Sequence, residues 1–240
     1  MAVGCEDAAG PFQTVPHPGT SWQPEGHPAR HPHEYVRDGT AKGLTRFRPS
    51  DGRVRVDGPT AVPNAVRHPW MKRELTAVLA EWPAPPPTAE ASRAAWERWQ
   101  VGLTVPITVP DHLPPLRVLL VLDNVAGHKT PAFVWWLFAH GVMPLDTPVG
   151  GSWLNMAESI PRVLNRRALD GPPPSHPGDI IARFASVAKD WKAAPTPFVG
   201  GGKRAARRKR QRERRHAVGG SGAFTRQPIR RRRYGYGRGK

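Results

Sequence analysis

Two acidic residues stand where carboxylates could hold a metal ion. Asp123 ends LRVLLVLDN, a continuous apolar run that predicts a central strand buried on both faces. In open α/β sheets, functional side chains gather beyond the carboxyl ends of such strands. Glu158 lies on a predicted helix, and 34 residues separate it from Asp123. Each acid alone also has an ordinary interpretation, as the end of a strand or as part of a solvated helix face.

The elements predicted around these acids begin with strands and continue with strands and helices in alternation. A very short opening strand is expected before a long loop over 11–32, which is rich in Pro, Gly and His. Residues 34–59 predict a hairpin with Asp51 and Gly52 in its turn. PAFVWWLFAHG predicts a short helix and VMPLD predicts a short strand. Further helices are expected at 65–81, 89–100, 178–191 and over SWLNMAESIPRVLNRRAL. This order predicts an α/β domain with a mixed sheet flanked by helices.

Composition limits the classes of protein and of site. The chain has 240 residues, enough for one globular domain with a tail, and it holds no apolar run near 18 residues and no secretory leader. We therefore expect no membrane association. Cys5 is the only cysteine, which excludes an internal disulfide and a Cys-rich zinc cage. A zinc site at His27, His31 and His33 is disfavoured because they lie among prolines with no companion cysteine.

The net charge of +17 is concentrated at one end of the chain. Residues 203–240 contain 16 Lys or Arg and one acid, a net of +15, which leaves +2 for residues 1–202. We predict a folded domain over 1–199 and a disordered basic tail over 200–240, because Arg-rich sequence with little apolar content cannot bury enough surface to fold. The tail is expected to bind phosphates through Lys203, Arg204, Arg207, Arg208, Lys209, Arg210, Arg230, Arg231, Arg232 and Arg233.

Several motifs together resemble one family of proteins. VLDNVAGHK and TPVGGSWLNMAES are similar to the second and third acidic motifs of DDE transposases of the insertion sequence 630 family, a bacterial branch of the mariner-like superfamily. That family's 34-residue spacing is reproduced between Asp123 and Glu158. GCEDAAGPFQ resembles the first motif, with Asp7 at the first aspartate. The resemblance continues through HEYVRDGTAKGLTRFRP, PNAVRHPWMKREL, WKAAPTPF, GGKRAARR and GGSGA and covers most of residues 3–223.

The resemblance implies a ribonuclease H-like fold that brings Asp7, Asp123 and Glu158 together. Such a site would bind two Mg²⁺ or Mn²⁺ ions, for DNA cleavage and strand transfer by in-line attack on phosphorus. Asn124 and His128 match positions that the family often fills with the same residue types, and both are expected to support the site. Asn155 is expected to support it as well, either as a local helix cap or in catalysis. The expected partner is DNA in the bacterial cytoplasm, associated with the nucleoid; homodimerisation is left open.

The sequence departs from the family in three ways. Ala8 stands where the family usually has an acid after its first aspartate. Pro161 follows Glu158 by three residues, where it is expected to remove a helix hydrogen bond to Ala157 and to kink the segment. The family also carries helix-turn-helix modules before its catalytic domain, and only six residues precede Asp7 here. We therefore expect a truncated chain without sequence-specific recognition of DNA ends.

Two other functions remain open on the sequence. The chain could be an inactive transposase remnant that binds nucleic acid nonspecifically through its tail, or another ribonuclease H-like nuclease that acts on RNA. Metal-dependent nicking of DNA separates the first from a transposase, and a comparison of matched DNA and RNA duplexes separates the second.

Overall fold

A mixed five-stranded sheet lies at the centre of the computed structural model. The model describes residues 1–16, 25–27, 34–35, 37–81, 88–101, 107–195, 197, 209 and 213. The strand order is β3-β2-β1-β4-β5, in which β1, β2 and β3 are antiparallel neighbours and β4 is parallel to both β1 and β5. The strands are β1 (Ala2–Gln13), β2 (Thr40–Arg48), β3 (Arg53–Asp57), β4 (Val118–Leu122) and β5 (Val142–Asp146). This arrangement confirms the predicted α/β domain with a mixed sheet flanked by helices.

The predicted hairpin is formed by β2 and β3. Gly52 adopts a φ of 74°, and its N–H donates to the Arg48 carbonyl at 2.9 Å. The Asp51 carboxylate accepts a hydrogen bond from the backbone N–H of Arg53 at 3.1 Å, which closes the turn as the sequence predicts. The first strand of this hairpin, β2, begins at Thr40, whereas the sequence predicts a start at Glu34.

Strand β1 is much longer than the sequence predicts. Prolines deny donors to a ladder, so the sequence predicts a loop from Pro11 onward, but β1 continues through Pro11 to Gln13. A bulge between Ala9 and Phe12 accommodates the proline. Gly10 within it has a φ of 109°, and a Cβ there would lie 3.1 Å from the Ala41 carbonyl oxygen. The very short opening strand was therefore a wrong prediction.

Within the part of the chain that the structure describes, five α-helices flank the sheet. The helices predicted at 65–81, 89–100 and 178–191 are confirmed with small shifts of their ends, and the PAFVWWLFAHG signal is also a helix. Thr88 caps α2 by accepting from the Ala91 N–H at 3.2 Å. The helices are α1 (Asn64–Glu81), α2 (Ala89–Gln100), α3 (Pro131–Ala139), α4 (Ile160–Leu164) and α5 (Pro177–Ala193).

The helices bury the two faces of the sheet. On one face, α1 and α3 pack against β4 through a core that includes Trp70, Leu75, Leu120 and Phe133. On the other face, α4 and α5 pack against β1 and β2, with Cys5 fully buried and unpaired among them. Trp96 of α2 forms part of a third cluster with Leu119, Phe138 and Met143. Both faces of the central strands are covered, as the apolar run at β4 predicts.

The segment predicted as one helix over SWLNMAESIPRVLNRRAL is broken. It consists of 3₁₀ turns at Ser152–Leu154 and Met156–Ser159, then α4, then a π-helical turn at Asn165–Leu169. Pro161 lies in the first turn of α4, where a helix has no use for a backbone donor, so it starts the helix instead of kinking it. Glu158 consequently lies on a 3₁₀ turn and not on an α-helix.

The predicted basic tail falls almost entirely outside the described residues. Of its predicted phosphate-binding residues only Lys209 is described; it is exposed and lies 4.0 Å from the Glu213 carboxylate. The disorder of the tail and its boundary at 199 therefore stay predictions. No helix in the described part of the chain is long and apolar enough to span a membrane.

Candidate active site

Asp7 and Asp123 stand at the same level of neighbouring strands. The parallel pairing of β1 with β4 runs from Ala2 opposite Val118 to Cys5 opposite Val121. The same register, continued by two residues, places Asp7 opposite Asp123. Neighbouring strands are about 4.8 Å apart, and side chains two residues apart share a face. Since Cys5 contacts the core under α5, Asp7, two residues further along β1, is directed toward that face.

Acidic side chains surround Asp7. Burial, together with the neighbouring carboxylates of Glu6, Asp123 and Glu158, raises the pKa of the Asp7 carboxyl to about 6. The Ala8 backbone N–H opposes this effect. Asp7 thus interacts electrostatically with both other acids of the predicted set. Three carboxylates in one region repel one another, which is the condition that a bound cation relieves.

His128 bridges two acids beneath the site. Its Nδ1 lies 3.0 Å from Asp123 Oδ1 and its Nε2 lies 3.1 Å from Glu6 Oε2, and the His128 side chain is 2% exposed. Burial alone would lower the pKa of the imidazole, but the Asp123 and Glu6 carboxylates outweigh it and raise the pKa to about 9. The protonated His128 in turn lowers the pKa of Asp123. His128 therefore holds Asp123 in its charged form, which is the form that binds a metal.

Glu6 is a member of this site that the sequence analysis missed. Its side chain is 1% exposed, and its ion pair with His128 lacks the alignment of a hydrogen bond, so both carboxylate oxygens stay without a hydrogen-bonding partner. A buried carboxylate is stable only when it is paired, so Glu6 depends on His128. The available signal was a second acid, next to Asp7, inside a strand made mostly of apolar and small residues.

Glu158 lies on a short segment that packs against β1. It lies in the 3₁₀ turn Met156–Ser159, which contacts β1. Its Oε1 accepts a hydrogen bond from the Ser152 hydroxyl at 3.1 Å, and the side chain is exposed to solvent. Ser152 therefore orients Glu158 without burying it.

Asn155 ties the Glu158 turn to β1. Its side-chain Nδ2 donates to the Glu6 carbonyl at 2.6 Å, and its Oδ1 accepts from the Ala157 N–H at 3.1 Å. The residue is buried, so both bonds form away from water. Asn155 thus caps the turn, as one of its two expected roles, and also fixes that turn beside Asp7.

The loop after β4 is held by the first helix of the fold. The Gly127 carbonyl lies 2.9 Å from His68 Nε2 of α1, and His68 stacks on Phe133 with ring centroids 4.6 Å apart. A Cβ at Gly127 would lie 2.5 Å from Asn64 Oδ1, so a larger residue there would displace the Asn64 side chain. In the same loop the exposed Asn124 accepts a hydrogen bond from Lys129. The loop that carries Asp123 and His128 is therefore fixed by close packing.

The donor set fits a hard divalent cation in its chemistry. Asp7, Asp123 and Glu158 offer only carboxylate oxygens, which suit Mg²⁺ or Mn²⁺. Among the residues that the structure describes, no three His, Cys, Asp or Glu side chains are gathered closely enough to hold a metal ion by themselves. The predicted ligand set thus stays a prediction. His27 is exposed, and His31 and His33 lie outside the described residues.

Replacing Asn155 with alanine should destabilise the fold. The change would leave the Glu6 carbonyl and the Ala157 N–H buried without partners, which costs about 2–3 kcal/mol in total. We expect a loss of that size in the free energy of unfolding in urea. Asn124→Ala is the matched control, since Asn124 is exposed, and should change stability by less than about 0.5 kcal/mol. Equal stability of the two variants would contradict the buried role of Asn155.

Stability should depend on pH through His128. Its pKa is raised from 6.5 to about 9 in the folded protein, so its charged form contributes stability that is complete below pH 6.5 and is lost as the pH rises through about 9. In metal-free protein, we expect the free energy of unfolding to fall across this window by on the order of 3 kcal/mol. The His128→Gln variant should lack this decline, and an unchanged pH dependence in the variant would refute the assignment.

Comparison with known proteins finds similarity in structure. No family model and no curated protein matches the chain by sequence. Among solved structures, the Mos1 mariner paired-end complex with Mn aligns with 14% identity and a TM-score of 0.48, over 82% of this chain and 49% of that chain. The Mos1 transposase paired-end complex with left transposon end aligns with 16% identity and a TM-score of 0.48, over 82% of this chain and 48% of that chain. The Mos1 strand transfer complex aligns with 16% identity and a TM-score of 0.47, over 81% of this chain and 47% of that chain. The chain spans about half the length of these neighbours.

Proposed function

We propose that this chain is the catalytic part of a DDE transposase of the insertion sequence 630 type, which cleaves DNA and joins strands with divalent metal ions. The observation that carries the proposal is the parallel pairing of β1 with β4, whose last pair, Cys5 with Val121, lies two residues before Asp7 and Asp123. The electrostatic effect of Glu158 on Asp7 adds the third acid of the motif series. Order, spacing and position in the sheet thus agree with the resemblance of the sequence motifs.

The chain's own residues have distinct tasks in this function. Asp7, Asp123 and Glu158 would supply the oxygen ligands for two Mg²⁺ or Mn²⁺ ions, which when bound activate a water or 3′-hydroxyl and neutralise charge at phosphorus. His128 keeps Asp123 ionised and directed. Ser152 and Asn155 keep the Glu158 turn beside β1. The partner is DNA, and we place the protein in the bacterial cytoplasm at the nucleoid.

Nicking of a supercoiled plasmid tests the proposal. The purified full chain is incubated with plasmid in Mg²⁺, in Mn²⁺ and in EDTA, and the nicked and linear products are separated on a gel. We expect nicks with either metal and none in EDTA. Absence of metal-dependent nicks under conditions in which the protein binds the plasmid would refute the proposal.

A second candidate is a DNA-binding remnant without activity. It is favoured by the finding that the described acidic side chains do not close around a common metal position. It predicts plasmid binding with no nicking in either metal. The third alternative, a nuclease that acts on RNA, predicts faster cleavage of an RNA duplex than of a DNA duplex of the same sequence.

A further inference from the structure

The segment after the site exposes a row of side chains suited to a nucleic acid strand. Glu158, Arg162 and Arg166 are all exposed and follow one another at intervals of four residues. Glu158 lies on a 3₁₀ turn, Arg162 lies in α4 and Arg166 lies in the π-helical turn, so the three side chains follow one another along three successive helical turns. With an average rise near the α-helical 1.5 Å per residue, eight residues advance roughly 12 Å. The row therefore extends from a proposed metal ligand to two guanidinium groups.

The two arginines of the row have no acidic partner in the described part of the chain. Neither forms an ion pair there, whereas Arg167 beside them lies 5.5 Å from the centre of the Trp191 ring and is directed toward α5. Residues 152–169 contain three arginines and only Glu158 as an acid. The surface next to the acidic site is thus basic although residues 1–202 are nearly neutral in total.

An exposed aromatic side chain stands at the other end of the row. Trp153 is 74% exposed and Leu154 is 46% exposed, although large apolar side chains are normally covered. Ser152, the neighbour of Trp153, donates its hydroxyl to Glu158. Trp153 therefore lies within one short turn of the residue that orients the proposed ligand. An exposed indole offers a surface on which a nucleobase can stack.

We propose that Trp153, Glu158, Arg162 and Arg166 form a track for one DNA strand, with phosphates at the arginines and a base against Trp153. The proposal rests on the proposed function, because it places the strand that is cut at Glu158. A DNA strand carries one phosphate per 3.4 Å of helix axis, so about 12 Å spans roughly three to four phosphates. The track gives the folded domain DNA contacts of its own, separate from those of the basic tail.

Charge removal tests the arginine half of the track. Binding of a labelled DNA duplex is measured by fluorescence anisotropy in EDTA over a series of salt concentrations, with the full chain and with Arg162→Gln/Arg166→Gln. Each lost phosphate contact reduces the log–log salt slope by about 0.9, so we expect a reduction of about 1.8. The control Arg93→Gln/Arg98→Gln removes the same charge from the exposed face of α2 and should leave the slope unchanged. Arg162→Lys/Arg166→Lys should retain most of the slope.

Equal slopes for the glutamine variant and its control would overturn the track, as would a reduced slope in the lysine variant. Because binding is measured without metal, its outcome is independent of nicking. The track can therefore fail while the proposed function stands, and the proposed function can fail while the track stands.

The aromatic half of the track is tested on single-stranded DNA, where Trp153→Ala should weaken binding about tenfold. Trp135→Ala, which removes another exposed indole, should not. Equal losses in both would show that Trp153 contacts no base.

Discussion

Replacing Asp123 with asparagine is expected to reduce metal-dependent nicking by more than about 100-fold. The change keeps the shape of the side chain but removes the charge that a metal ligand needs, and residues that only support a ligand already cost about 10–100-fold when mutated. The rate of plasmid nicking in Mn²⁺ is the measurement. Binding of the plasmid in EDTA should stay close to that of the unmodified protein, because Asp123 is not part of the basic surface.

The control for this substitution is Asp190→Asn. Asp190 is an exposed acid on α5, so its replacement changes the net charge equally and should leave the nicking rate unchanged. A similar rate for Asp123→Asn and Asp190→Asn would show that Asp123 is not a metal ligand. Loss of nicking in both would point to an effect of net charge instead of the site.

Deleting residues 203–240 is expected to remove most of the nonspecific affinity for DNA. The deletion removes a net charge of +15 and leaves +2. Since every phosphate neutralised contributes about −0.9 to the log–log salt slope, the slope should become several units shallower. Duplex binding over a range of salt concentrations measures both effects.

A tail variant of the same length controls for the deletion. Replacing Arg230, Arg231, Arg232 and Arg233 with glutamine keeps the chain length and should lose a part of the slope in proportion to the charge removed. A deletion that leaves the slope unchanged would mean that the folded domain alone holds the DNA backbone. In that case the basic track along Arg162 and Arg166 would carry the binding.

The fold could be predicted where local pattern decides structure. The apolar run at β4, the Asp51-Gly52 turn and the helices at α1, α2 and α5 have the expected types, since their periodicity and end signals are strong. The end of β1 could not be predicted, because a bulge at Gly10 lets Pro11 stay in the sheet. The breaks in segment 152–169 were not predicted, because Asn155, expected as a helix cap, begins a separate 3₁₀ turn that its hydrogen bond to the Glu6 carbonyl holds against β1.

In the candidate site, too, local motifs predict some residues, whereas others depend on contacts between distant parts of the sequence. The motifs indicated Asp7, Asp123 and Glu158 by order and spacing, and the pairing of β1 with β4 gives the first two a common level. Glu6 carries no motif signal of its own, because its importance comes from His128, which lies 122 positions away in the sequence. The contact of Asn155 with the Glu6 carbonyl likewise spans the whole domain. Such long-range pairs follow from topology rather than from local sequence.

The central claim is that Asp7, Asp123 and Glu158 bind divalent metal, and a crystal of the protein soaked in Mn²⁺ tests it most directly. Anomalous scattering locates manganese independently of the protein coordinates. We expect manganese between the Asp7 and Asp123 carboxylates at about 2.1–2.2 Å from their oxygens, with Glu158 turned toward a second ion. No manganese at the two aspartates, with Glu158 directed into solvent at saturating Mn²⁺, would contradict the claim.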